Sequence, residues 1–426
     1  EVQYLYKWGI VMNFSIMFDR EKCKGCTNCM KRCPTQAIRL KDGKACIDVK
    51  KCIHCGECIK ICPYEAYSAS AVESHKEKHY KCKIAIPSTT IYGQFPKGTQ
   101  ICNVHNAILK LGFDYVYDES WASELVSNAI KKRLSENNLI RPLISTNCPS
   151  IVRLIIIRYP SLIEHLISLE APMEIAAKLA KMRAKESFNL DDKDIGVFYI
   201  SPCPAKLLTV TDPIGKKSSL IDWVIPLNKI YGDLYREVKK ENKMCFSNPS
   251  LKGIRWAVSG GQSESADLAN YIAVNGMENI IEIFDEIENG RLADVDFVEA
   301  MACVDGCVGG TFNIENPFIA RNTLKYIKRN IDEDLLLNED LGKFDQFYKD
   351  GIFDLIITQD CHGHKINMKE AVYKIEKIKE ISAKLPGLDC GSCGAPTCVA
   401  HAEDIFNNEA EFLDCVVLRA KLNENK

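Results

Sequence analysis

No apolar run in this 426-residue chain reaches the ~18 residues that a membrane-spanning helix needs. The stretch from Tyr4 to Phe18 comes nearest, but Lys7, Asn13 and Ser15 interrupt it and no small-residue cleavage site follows. Neither sign of charge is in excess. Lys and Arg number 55 against 57 Asp and Glu, a net charge of −2, so nucleic acid would find no basic surface. Low-complexity tracts and a secretion signal are both missing, and without the latter a disulfide framework has no oxidising context. These absences predict a globular protein of the cytoplasm with neither a membrane nor a nucleic-acid partner. A hydrophobic content of 46% and a charged content of 26% agree with that class.

Cysteine is the exception. The chain has 21, too many for its size and setting unless they bind metal. They fall into a dense zone from Cys23 to Cys62, scattered sites from Cys148 to Cys307, and a second dense zone from Cys390 to Cys415. Between the dense zones, short β-rich runs alternate with amphipathic helical patterns, which predicts parallel α/β units. Candidate strands are 83–86, 142–145, 194–200, 253–258 and 296–299; candidate helices are 123–134, 161–185 and 227–240. A further helix over 369–384 sets Ala371, Val372, Ile375, Ile378 and Ile381 near one face.

The first zone repeats one pattern. Cys23-x2-Cys26-x2-Cys29-x3-Cys33-Pro34 is followed by Cys52-x2-Cys55-x2-Cys58-x3-Cys62-Pro63. This is the bacterial ferredoxin arrangement, in which three close thiolates and one from the other repeat hold each cubane. Cluster one takes Cys23, Cys26, Cys29 and Cys62; cluster two takes Cys52, Cys55, Cys58 and Cys33. A pair of zinc knuckles would need neither the fourth cysteine nor the proline. His54, inside the second loop, is expected only to tune a potential.

The last zone, Cys390-x2-Cys393-x4-Cys398 with Cys415 further on, again offers four thiolates. LPGLDCGSCGAPTC resembles the small [4Fe-4S] domain of corrinoid iron–sulfur proteins and of some redox-complex subunits. Gly391 and Gly394 let the backbone wrap a cluster closely. A zinc ribbon is the competing reading.

Three more stretches, STNCPS (145–150), SPCPAK (201–206) and EAMACVDGCVGG (299–310), each follow a predicted strand. In a doubly wound sheet such loops converge on the ligand site, so Cys148, Cys203, Cys303 and Cys307 can meet. The stretches resemble the three signature motifs of [FeFe]-hydrogenases. That resemblance implies an H-cluster: a cubane joined through one cysteine to a two-iron unit bearing CO, cyanide and a dithiolate bridge. Cys148, Cys203 and Cys303 would bind the cubane, with Cys307 bridging to the two-iron unit. Lys206 would pair with an iron-bound cyanide, and Met301 would pack on the cluster. Pro87 and Ser88, in IAIPST, match a stretch lining the two-iron site. Ser259, Gly260 and Gly261 match the glycine turn beside it. Glu299 is expected to support the cluster loop or to relay protons.

On this reading the chain is an α/β multidomain protein. An amino-terminal extension or tag (1–17) precedes a two-cluster ferredoxin-like domain (18–77), and a central doubly wound α/β H-cluster domain (78–331) follows. A mostly helical connector (332–384) leads to a small helical [4Fe-4S] domain (385–421). With the H-cluster that makes three further [4Fe-4S] clusters. The expected partners are H2 and protons, hydrogenase maturation proteins, and a ferredoxin or separate regulatory protein.

The chain also departs from the high-activity pattern. Those enzymes have a cysteine immediately before the first cubane ligand as a proton relay, whereas Asn147 stands here, and a carboxamide does not titrate. The helix after YVYDESWASEL continues Val126-Ser127-Asn128-Ala129-Ile130, without the family's acids. Ser201 replaces a methionine beside the second ligand. A GG-x4-EN-x-F ending joined to the carboxy-terminal module resembles the sensory group of hydrogenases, in which slow chemistry reports on hydrogen. The alternative is an inactive hydrogenase-like protein of cluster assembly or electron transfer, with only a cubane at its centre. Cys46, Cys82, Cys102, Cys245 and Cys361 read mostly as buried free thiols. Cys361, His362 and His364 read as a polar surface turn.

Overall fold

The computed structural model describes residues 6–7, 10–13, 15–69, 79–137, 139–240, 249–330, 339–357 and 368–424. Cys245, Cys361, His362 and His364 lie outside them. The chain forms two compact units, 1–69 with 359–426, and 70–358.

In the first unit, strands β1 (Tyr6–Lys7), β2 (Ile10–Asn13) and β3 (Ile16–Asp19) join β6 (Tyr67–Ala69) in an antiparallel sheet ordered β1-β2-β3-β6. The stretch read as an amino-terminal extension therefore supplies three strands, and Ile16 and Phe18 enter the core with Met30, Ile38, Ala45 and Tyr67. Strands β4 (Ile38–Lys41) and β5 (Lys44–Ile47) form a hairpin whose Asp42-Gly43 corner has positive φ at both residues, as an Asp-Gly two-residue turn prefers. The sequence repeat is also a backbone repeat. Positive φ recurs at Gly25 and His54, at Thr27 and Gly56, and at Gln36 and Glu65. Each half thus turns twice around its cysteines, then runs through a short helix, Asn28–Arg32 or Glu57–Ile61, that ends on the distal ligand.

The carboxy-terminal part of this unit has helices Met368–Ser382, Cys398–Phe406 and Val416–Glu424. Leu385, Ala402 and Cys415 form its core, with Ile378 and Ile381 packed against it. Val372 and Ile375, expected on the same face, are exposed instead. So small a core needs only one turn of that face.

The second unit contains two parallel sheets where one doubly wound sheet was expected. The first has the order β11 (Trp223–Pro226), β10 (Ile195–Ser201), β7 (Cys82–Pro87), β8 (Tyr115–Val116). The second has the order β12 (Tyr271–Asn275), β13 (Phe297–Met301), β9 (Leu143–Ile144). Alternation along β7 and β10 explains why helices cover both faces of the first sheet. Ile84, Ile86, Val197 and Tyr199 pack with helices Glu119–Leu134 and Pro172–Phe188, while Ala85 and Ile200 pack with Ile101–Lys110 and Leu227–Lys240.

Three sequence expectations fail here for local reasons. Residues 253–258 form a helical turn, Leu251–Ile254, and a 3-10 turn, Arg255–Ala257, rather than a strand. Ser250 caps that turn by accepting from Gly253 N–H at 2.8 Å, and a Cβ on Gly253 would sit 1.7 Å from the Ser120 carbonyl oxygen. The helix expected over 161–185 breaks into Pro160–His165 and Pro172–Phe188, because the residue before Pro172 is driven to extended backbone. The connector divides as well. Phe347 and Phe353 belong to the core of this unit, whereas Met368–Ser382 belongs to the other. Short strands β8, β11 and β12 had no clear sequence signal.

Among the five cysteines set aside, Cys82 is buried and free, but Cys46 is exposed. Cys102 is disulfide-bonded.

Candidate metal centres

Both sheets of the second unit direct the carboxyl ends of strands at one place. Past β9, Cys148 caps helix Pro149–Arg158; past β10, Cys203 caps helix Pro204–Thr211. Proline opens each helix, where its missing N–H costs nothing. Past β13, Cys303 and Cys307 flank a turn at Gly306, whose φ of +94 and close neighbours exclude a side chain. A Cβ there would lie 2.7 Å from Ser259 N and 2.8 Å from Met301 Sδ.

The four thiols share one buried space. Burial raises the Cys148 and Cys307 thiols and pushes Cys203 up to about 12, and the neighbouring thiols add to each shift. Ionised together they would repel strongly, so they suit a cationic iron cluster that binds thiolates. Among the described residues no three Cys, His, Asp or Glu side chains are gathered tightly enough for one metal ion.

Lys206 is buried beside them. Its ammonium lies 2.8 Å from the Tyr199 hydroxyl and 3.4 Å from Glu119 Oε1. The Tyr199 hydroxyl donates to the same carboxylate oxygen at 3.0 Å, and Thr89 N–H donates to Oε2 at 3.1 Å. Burial alone would discharge the lysine, but Glu119 and Tyr199 outweigh it and its pKa stands well above the ordinary value. Ser88 hydrogen-bonds Tyr199 from the end of β7, next to Pro87. Sequence reasoning passed over Glu119 because the pair forms across 87 positions. Its one available signal was an Asp-Glu pair at a helix start.

The remaining predicted residues surround this site. Ser201 Oγ donates to the Cys203 carbonyl at 2.9 Å and accepts from Cys203 N–H at 3.2 Å, fixing the second ligand's loop. Met301 is buried at the end of β13. Asn147 is buried next to Cys148, its N–H on Ser145 Oγ at 3.3 Å, and Ser145 donates to Gln262 at 2.6 Å. Glu299 accepts from Gly260 N–H at 2.9 Å and from Ser263 N–H and hydroxyl at 3.0 and 2.9 Å. It thereby ties the turn at Ser259, Gly260 and Gly261 to β13.

Burial pushes the Glu299 carboxyl up from 4.5 to about 7, even though the Ser263 and Gly260 donors favour its charge. Because the folded pKa is the higher one, the native state gains protons on acidification and the stabilisation is lost as pH rises through 7. At 1.36 kcal/mol per unit the span is about 3 kcal/mol. The unfolding free energy of the intact protein is expected to fall between about pH 5 and 7, and Glu299→Gln to flatten that slope. Denaturant titrations across this range check it.

In the first unit the ligand sets also converge. One cavity is lined by Cys23, Cys26, Cys29 and Cys62, and another by Cys33, Cys52, Cys55 and Cys58. Burial raises Cys29, Cys55 and Cys58, and the thiols of each set act on one another. His54 is buried and bonded to Ser15 Oγ. A third cavity is lined by Cys390, Cys393, Cys398 and Cys415. His401, one helical turn beyond Cys398, lines it too, and its buried Nε2 has no hydrogen-bond partner among the described residues. An imidazole lining a four-thiol cavity fits a donor to cluster sulfur. His401→Phe is expected to lower the midpoint potential of a cluster bound there, since the more anionic reduced state loses its donor. A redox titration followed by EPR that shows no shift would place Nε2 elsewhere.

A family model for the C-terminal domain of the iron-only hydrogenase large subunit matches residues 83–266 and 234–311, together more than half of the chain. A 4Fe-4S dicluster domain model matches 15–63, and a model for an Fe–S cluster segment matches 385–417. Iron hydrogenase 1 of Clostridium pasteurianum is 25% identical over 256 residues, 49% of this chain and 44% of that protein. A 60-residue stretch is 38% identical to an uncharacterized protein of Methanocaldococcus jannaschii, 14% of this chain and 26% of that one. The chain thus matches less than half the length of these relatives. Two structures of the [FeFe]-hydrogenase of Chlamydomonas reinhardtii, one of them apo, superpose with TM-scores of 0.50 and 0.51 at 16% identity. Each superposition covers 67% of this chain and 96% of the other, a likeness of fold. By the extent of the family match, the chain belongs to the iron-only hydrogenase large-subunit family.

Proposed function

We propose that this protein is a slow [FeFe]-hydrogenase that senses hydrogen and exchanges electrons through [4Fe-4S] clusters. The observation that carries the reading is the convergence of Cys148, Cys203, Cys303 and Cys307 beside a charged, buried Lys206. Cys148, Cys203 and Cys303 would hold a cubane, and Cys307 would bridge it to a two-iron unit. The H-cluster so formed supplies the heterolytic cleavage of H2. The chain's own residues do the rest. Lys206, kept cationic by Glu119, offers N–H donors to an anionic cyanide. Ser201 fixes the Cys203 loop, Met301 and the Gly306 turn close the apolar side, and Glu299 holds the turn at Ser259–Gly261. Pro87 and Ser88 line the approach from β7.

Slow chemistry is supported by what surrounds the site. Val126, Ala129 and Ile130, where the family's acids are absent, are buried in the apolar core. No titratable side chain precedes Cys148. Such a protein needs maturation proteins to install the two-iron unit, and a ferredoxin or a regulatory protein to receive the signal.

Anaerobic maturation with a synthetic two-iron precursor, followed by infrared spectroscopy, tests the reading. CO and cyanide bands that respond to H2 are expected. Their absence after the cubanes have loaded would overturn it in favour of an inactive, cubane-only protein.

A further inference from the structure

The carboxy-terminal module is not a free appendage of the first unit. Its cysteine loop lies on the backbone that carries the first ferredoxin site. Gly391, at φ +81, is so close that a Cβ would lie 3.0 Å from Met30 Cε and 3.1 Å from Lys31 Cε. Gly394, at φ +88, would place a Cβ 2.3 Å from the Leu40 carbonyl oxygen. Leu40 N–H donates to the Gly394 carbonyl at 2.8 Å. The Lys31 ammonium donates to the Pro396 carbonyl at 2.9 Å and to that of Asp389. Met30 and Lys31 directly follow the ligand Cys29, and Leu40 lines the cavity of Cys23, Cys26, Cys29 and Cys62. Leu40 thus lines the first four-thiol cavity and touches the carboxy-terminal cysteine loop as well.

Charged pairs behind the loop hold this placement. Arg39 grips Asp404 with two nitrogens at 2.6 and 3.0 Å, a half-buried two-pronged contact, and Lys51 meets Glu403 at 2.6 Å. Arg–carboxylate pairs of this form fix orientation as well as adding energy. Within the ferredoxin pair, Cys29 of the first set acts on Cys58 of the second. Cys390, between Asp389 and Gly391 and beside Lys31, is exposed, while Cys415 is buried.

We propose that the carboxy-terminal site is the outer end of an electron relay that enters the ferredoxin pair at its first site, through Met30, Lys31 and Leu40. This rests on the cubane reading given under Proposed function. Each transfer moves one electron from a reduced cubane to an oxidised neighbour, with no bond made or broken and no proton required. A soluble redox protein would exchange electrons where the carboxy-terminal loop is open to solvent, at the exposed Cys390.

The test is EPR on the full chain, anaerobically reconstituted and reduced with dithionite, with iron content measured in parallel. Neighbouring reduced cubanes broaden each other's signals. The carboxy-terminal signal is expected to be broadened, to sharpen in Cys26→Ser, which disables the first site, and to stay broadened in Cys55→Ser, which disables the second. The reverse pattern overturns the relay order. Without any variant, broadening in a potentiometric titration should grow as the first site is reduced; broadening that follows only the second site overturns the proposal. Iron content unchanged in Cys393→Ser/Cys398→Ser would overturn the cluster reading of that site along with it. Loss of one cubane there with no change in the first site's signal would overturn the relay alone.

Discussion

Glu119→Ala is expected to destabilise the protein by about 3–5 kcal/mol, the cost of leaving a buried cation without its partner. Three donors lose their acceptor at once: the Lys206 ammonium, the Tyr199 hydroxyl and Thr89 N–H. Water cannot replace it, since Lys206, Tyr199 and Glu119 are all buried. Lys206→Met removes the cation instead and lets Tyr199 keep Glu119, so it should cost less. The double variant should be more stable than the two single losses sum to, with a coupling of about 0.5–3 kcal/mol. Denaturant unfolding of the four proteins gives that number directly. Additive losses would show that the pair contributes nothing as a pair.

The pH dependence of the same pair follows from its sign. The folded pKa of Lys206 is raised above its ordinary 10.5, so the stabilisation is complete below that value and is lost only as pH climbs through the higher folded one. Across neutral pH it is flat, unlike the Glu299 contribution. Glu119→Gln should remove stability at pH 7, since the largest opponent of the burial cost on the Lys206 charge is gone. In matured protein the same substitution should shift the cyanide infrared bands, because Lys206 would redirect its donors. Purely structural damage would leave the bands in place and lower only the yield.

What the sequence could and could not show follows from the range of each interaction. The convergence of the two sets of repeat cysteines was legible because their spacing is local and repeats with the same turns, down to positive φ at Gly25 and His54. The meeting of Cys148, Cys203, Cys303 and Cys307 was legible only through short motifs, because they come from three strand ends in two sheets that spacing alone cannot assemble. Glu119 was not legible at all. Its partners lie 30, 80 and 87 positions away, and on its own it reads as a helix-start acid. Nor was the seat of the carboxy-terminal module, whose bonds to Arg39 and Lys51 span 365 and 352 residues. The misread strand at 253–258 has a similar cause. GIRWAV has strand composition, but a serine cap and a glycine pressed on Ser120 decide its backbone.

Asn147→Cys is expected to raise H2 turnover of the matured protein about 10²-fold, the lower end of what a positioned proton donor contributes. The position is buried and directly precedes Cys148, and its backbone N–H bond to Ser145 does not depend on the side chain. A cysteine is smaller than asparagine, so the substitution does not overpack the site. It exchanges a group that cannot ionise for one with an ordinary pKa near 8.5. The lower end applies because the next stage is still missing. Ser127 spends its hydroxyl on the Ser123 carbonyl and accepts from Trp256, and Val126, Ala129 and Ile130 around it are apolar. The variant should gain a basic limb in its pH–rate profile while its infrared bands stay where they were. A rate that does not move, with the bands intact, would place the bottleneck along that dry helix, and Asn147→Cys combined with Ile130→Glu would then be the variant to compare.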